Sequence, residues 1–104
     1  RQMTERAELV EMREVLTELQ RLLQAEGLDG QYGYLLRRCF ELLSWAGNEP
    51  DAAAALKEYL LGIPNAPGTL WDLVIWRDSF EERKRVNERL DQLRERLMAL
   101  ARSL

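Results

Sequence analysis

Glu8-x-x-Glu11, Glu11-x-x-Glu14 and Glu88-x-x-Asp91 each set two carboxylates one helical turn apart, a spacing at which oxygen ligands could share a magnesium ion and assist a hydrolysis. Other chemistry is excluded by composition. The chain has no histidine and one cysteine, so no catalytic triad, Cys–His dyad, His-bearing zinc site, cysteine zinc knot or Glu-x-x-His di-iron motif can be assembled from it alone. Carboxylates, tyrosines and lysines remain. At about 100° per residue, Glu88 and Asp91 project away from the apolar seam of their own helix, so a solvated face explains them better than an enclosed metal site. No catalytic residue, metal ligand or cofactor is assigned.

A second set of residues suits binding. Trp71, Asp72, Trp76 and Arg77 stand within seven positions, in the stretch Gly62-Ile-Pro-Asn-Ala-Pro-Gly-Thr-Leu-Trp-Asp-Leu-Val-Ile-Trp-Arg77, where the chain departs from plain helical patterning. Tryptophan and arginine dominate the energetic centres of protein interfaces. The tryptophans have two readings: apolar anchors wedged into the core with their indole N–H satisfied, or an exposed aromatic patch. On the last helix Arg85, Arg89 and Arg96 line one flank of the seam and Arg83 and Arg94 the other. Such arginines cover a seam with their stems and meet acids on a neighbouring helix. Arg77 to Arg102 holds 8 basic and 6 acidic residues, too small an excess to favour nucleic acid over a helical partner.

The elements that position these residues are helical. Leu9, Met12, Leu16, Leu19 and Leu23 recur at spacings of three and four, with Val15 and Leu22 widening the stripe, and predict an amphipathic helix over about Thr4–Glu26. Gly27-Leu-Asp-Gly-Gln-Tyr-Gly33 lacks the contexts of a phosphate-binding loop and reads as a connector. A second helix follows over about Gln31–Ala46. It is apolar nearly all round through Leu35, Leu36, Cys39, Phe40, Leu42, Leu43 and Trp45, apart from Arg37, Arg38 and Glu41, and is expected to be the most buried. Asn48-Glu-Pro-Asp51 caps a third, over about Glu49–Leu61, with Leu56, Leu60 and Tyr59 facing the core.

Thr69-x-x-Asp72 resembles a helix start and predicts a short helical segment over Leu70–Ile75. Val74 and Ile75 are β-branched, and a six-residue apolar run does not distinguish helix from a short buried strand. Ser79-Phe-Glu-Glu82 is a capping box opening a helix over Phe80–Ser103, with Val86, Leu90, Leu93, Leu97, Leu100 and Leu104 as its seam.

A chain of 104 residues, 46% hydrophobic and 32% charged, makes one domain that folds without staples, with no apolar run approaching the roughly 20 residues that span a bilayer. No export signal is visible, so the cytoplasm is expected. Cys39, among leucines, reads as a small core residue. A net charge of −3 argues against nucleic acid as partner.

Two resemblances add to this. The carboxylate spacing loosely resembles all-helical magnesium-dependent nucleotide pyrophosphatases. Gly68-Thr-Leu-Trp-Asp-Leu-Val74, Arg77-Asp78 and Asn87-Glu-Arg-Leu-Asp-Gln-Leu-Arg-Glu-Arg-Leu97 resemble a family of small bacterial helical domains of unknown function, over about the last 45 residues. Members carry a Gly-Ser-Phe-Asn-Asp-Leu-Val type motif, to which Trp71 here is an exception, and Asp72 and Arg77 are its shared members. The resemblance implies a fold and no activity.

The expectation is therefore an all-α, single-domain bundle of four main helices with a short helical segment before the long last one. Its expected function is a non-enzymatic interaction or regulatory module, toxin neutralisation being one form, acting on a protein partner through Trp71, Asp72, Trp76 and Arg77 or by homodimerisation along the helix seam. The alternative is a carboxylate–magnesium nucleotide hydrolase.

Overall fold

The computed structural model describes residues 2–46, 50–62 and 73–104. Side chains are described for 7–46, 51–62 and 73–104. Four helices account for most of these residues: α1 (Gln2–Ala25), α2 (Asp29–Ala46), α3 (Pro50–Gly62) and α4 (Phe80–Ser103). No strand occurs among the described residues. In space α1 packs on α2, α2 on α3, α3 on α4 and α4 back on α1, a four-helix bundle about 46 × 22 × 22 Å. No helix of the described residues is long and apolar enough to cross a membrane.

The α1–α4 pairing shows what holds the helices and what aligns them. Met12, Leu16, Leu19 and Leu23 of α1 are wholly buried, as is Leu90 of α4, while Leu93, Leu97 and Leu100 are nearly so. Each such side chain contributes roughly 1.5–3 kcal/mol by leaving water. On the rim, Glu18 pairs with Arg89 and Glu11 with Arg96, all about half exposed. Such pairs contribute about 0.2–1 kcal/mol each. Stepping seven residues back along α1 moves the partner seven residues forward along α4, so the helices run antiparallel in heptad register. The seam supplies the stability and the charges fix the alignment.

The α1–α2 connection is tighter than the sequence suggests. Gly27 has φ +72°, Leu28 N–H donates to Leu23 C=O at 2.8 Å, and Gly27 N–H donates to Gln24 C=O at 3.2 Å. This is a Schellman ending, which needs one glycine at the left-handed position. Leu28 packs on the core and its carbonyl accepts from Gln31 and Tyr32. The second helix therefore starts at Asp29, two residues before the expected boundary, and Gly30 and Gly33 lie inside it rather than in a connector.

Of the apolar residues expected to make α2 a buried helix, all but Trp45 pack on the core. Leu35, Leu36, Cys39 and Leu43 face the core, but Tyr34 and Trp45 are half exposed beside Arg37, Arg38 and Glu41. Burial pushes the Cys39 thiol up to about 12 from its ordinary 9.0, which keeps it neutral and inert. In α3, Leu56 and Leu60 are buried and Tyr59 packs partly against the core. Asn48 and its cap lie outside the described residues.

Ahead of α4, Ser79 caps the helix with φ −78° and ψ 130°, its hydroxyl accepting from Glu82 N–H at 3.4 Å. The helical segment expected over Leu70–Ile75 is not formed in its described part. Leu73–Arg77 has no regular structure, and burial alternates: Leu73 and Ile75 in, Val74 and Trp76 out. That is the period of an extended chain. Thr69, Leu70, Trp71 and Asp72, with their cap, lie outside the described residues.

The glycines of the α1–α2 junction separate by mutation. A Cβ on Gly33 meets nothing within 4 Å, so Gly33→Ala is expected to stabilise the protein by about 0.5–1 kcal/mol. Gly27→Ala must enter the left-handed region and is expected to cost about 1–2 kcal/mol. Urea unfolding followed by circular dichroism measures both.

Candidate functional site: an exposed aromatic face beside a basic groove

An extended segment lying on a helix has no β-ladder to satisfy its backbone, and a buried unpaired amide or carbonyl is costly. α4 supplies the partners. Asn87 Oδ1 accepts from Ile75 N–H at 2.8 Å, and Asn87 Nδ2 donates to Ile75 C=O, also at 2.8 Å. The same Nδ2 donates to Arg83 C=O one turn earlier, at 2.8 Å. One side-chain amide thus takes the place of a neighbouring strand. Arg94 Nη1 donates to Leu73 C=O at 3.1 Å. At the other end Arg77 pairs with Glu26 and donates to Trp76 C=O at 3.0 Å. Glu26 stands just past the negative end of α1, where a cation is favourable, and its hydrogen bond raises the Arg77 guanidinium further.

These bonds fix which side chains face outward. With Leu73 and Ile75 pinned inward, Val74 and Trp76 point out, 72% and 67% exposed, and Phe80 at the start of α4 is 67% exposed. Arg83 lies over both rings, its guanidinium carbon 4.2 Å from the Trp76 centroid and 5.7 Å from that of Phe80. This is cation–π distance. Beside them runs an open groove of about 300 Å³ with Val74 and Phe80 as apolar walls and Arg83, Lys84 and Arg94 as cations. Asp91, its carboxylate, is paired with Arg94.

Of the four residues expected to bind a partner, Trp76 is presented to solvent, while Arg77 is turned to Glu26 and tethers the segment. Trp71 and Asp72 lie outside the described residues. The sequence reading placed Arg83 and Arg94 on one flank of α4 but did not single out Val74, Phe80, Lys84 or Asn87. Phe80 carried a usable signal, a large apolar residue in the first turn beside charged neighbours. Asn87 carried none, because its partner is 12 residues away in sequence.

The carboxylates that could serve a magnesium ion are dispersed. Glu11 pairs with Arg96, Asp91 with Arg94, and Glu88 lies 4.0 Å from Lys84. Among the described residues no three His, Cys, Asp or Glu side chains are placed to share a cation.

Asn87→Ala leaves Ile75 without partners for its N–H and C=O and is expected to cost about 1–3 kcal/mol. Urea denaturation would show this as a lower midpoint with the helical signal retained. An unchanged midpoint would mean that the segment does not depend on Asn87.

No protein-family model matches the chain, and no curated protein and no solved structure matches it either.

Proposed function

We propose that the protein is a non-enzymatic interaction module that engages a protein partner through the face made by Val74, Trp76, Phe80 and Arg83. The observation that carries this reading is the exposure of Trp76 and Phe80 around Arg83 on a segment whose backbone is fixed to α4. A tryptophan and an arginine held in place lose little further freedom on binding, which is why such pairs form interface centres. Action by occupancy, as in a regulator, needs nothing more. Trp71 and Asp72 lie outside the described residues, and Arg77 contributes by holding the segment. A cytoplasmic setting belongs to the proposal, since the lone cysteine is a free, buried thiol that needs no oxidising compartment.

The test separates binding from folding. Trp76 and Phe80 are mostly solvated, so Trp76→Ala/Phe80→Ala is expected to keep stability within about 1 kcal/mol of the parent. Wild type and variant, immobilised side by side, are compared for proteins captured from a bacterial lysate, with sedimentation velocity reporting self-association. The expected result is a specific partner, or a dimer, lost in the folded variant. Identical capture and identical sedimentation by both proteins would defeat the proposal.

A further inference from the structure

The groove is basic in a chain that is acidic overall. Among the described residues that line it, Arg83, Lys84 and Arg94 against Asp91 leave an excess of two positive charges, where the whole chain carries −3. The cations are not equivalent. Arg94 is committed to Asp91 and to Leu73 C=O, and Lys84 has only a 4.0 Å approach to the exposed Glu88. Arg83 has no carboxylate partner among the described residues. Its guanidinium lies against Trp76 and Phe80 instead. Aromatic faces attract the cation but accept no strong N–H bonds, so the guanidinium's planar fork stays open to a carboxylate. Asn87, which also lines the groove, spends both oxygen and nitrogen on Ile75 and Arg83 backbone, so it is not where a ligand is read.

Size decides between kinds of occupant. Three exposed apolar side chains amount to a few hundred Å², the scale of a functional surface patch. A stable globular dimer needs about 800 Å² from each partner. A short segment fits the groove better than a second folded surface.

We propose that the groove, together with the aromatic face beside it, binds a short acidic-apolar segment of a partner protein, with Arg83 receiving its carboxylate, Val74 and Phe80 of the groove receiving its apolar side chain, and Trp76 flanking Arg83 at the groove's edge. This rests on the reading of the face as an interaction surface and adds the chemistry of what it takes.

A random peptide display library is selected on the wild-type protein, and the enriched peptides are synthesised. They are then titrated against wild type, Arg83→Met, Lys84→Gln and Arg102→Met, each checked for helical content. The Met variant keeps an unbranched stem over the rings and removes the charge, and Arg102 lies at the far end of α4. The expected result is enrichment of Asp or Glu beside apolar residues, binding that weakens as salt is raised, and movement of the Trp76 indole resonance. Affinity should fall roughly tenfold in Arg83→Met, less in Lys84→Gln, and not at all in Arg102→Met. Neutral or basic consensus peptides that still move Trp76, or acidic ones held equally well by Arg83→Met, would overturn the acidic chemistry and leave the interaction face standing. No enrichment, or peptides that leave Trp76 unmoved, would overturn the segment proposal, while the lysate comparison decides the interaction face independently.

Discussion

The bond pair between the Asn87 side chain and the Ile75 backbone is the constraint on which the exposed face depends. An amide side chain has one acceptor and a two-hydrogen donor, the set a peptide unit requires from a neighbouring strand. Because Asn87 offers both to one residue, the chain on α4 is satisfied while extended, and extension forces alternate side chains to opposite sides. Ile75 goes to the core at 3% exposure and its two neighbours go to solvent. A helical turn over the same residues would spread Leu73 to Trp76 around a cylinder and could not bury two and expose two along one line.

The bundle makes room for this segment. At about 1.5 Å per residue, α3 is roughly 20 Å long and α4 roughly 36 Å, so α3 is some 16 Å shorter than its neighbour. Five extended residues at about 3.3 Å span the same length, and Leu73 and Ile75 join the core cluster that the helices share. The segment ends at Arg77 on Glu26, beside the Schellman turn, so the turn after α1 and the approach to α4 are locked together at one end of the bundle. The antiparallel α1–α4 seam is the frame against which both are held.

Much of this was legible in the sequence, for reasons that differ by element. The Phe80–Ser103 helix was read to the residue because its signals are local, a Ser-x-x-Glu cap and a strict apolar seam. The α1 stripe was equally plain, and of Arg85, Arg89 and Arg96, expected on one flank of α4, Arg89 and Arg96 meet acids of α1. Over Leu70–Ile75 the local signal Thr69-x-x-Asp72 argues for a helix and the β-branched Val74 and Ile75 for a strand; the described part, Leu73–Ile75, is extended because the groups that favour extension, Asn87 and Arg94, sit 12 and 21 residues further on. Trp45 looked like core because composition does not tell which side of an apolar helix lacks a neighbour. The site followed the same pattern. Trp76 was named from residue type, whereas Arg77 is drawn away by a partner 51 residues earlier and Arg83 takes its place beside the rings.

Function in this account follows from rigidity. A tryptophan on a loose loop would lose conformational freedom on binding, whereas one on a backbone fixed at every second residue has already lost it. The most direct measurement is backbone amide hydrogen exchange by NMR at Ile75 and Val74. The Ile75 amide, which donates to Asn87, is expected to be protected, and Val74, whose amide makes no hydrogen bond among the described residues, to exchange fast. Equal, rapid exchange at both positions would contradict it, since the segment would then be unfixed and the aromatic face would have no fixed shape to offer a partner.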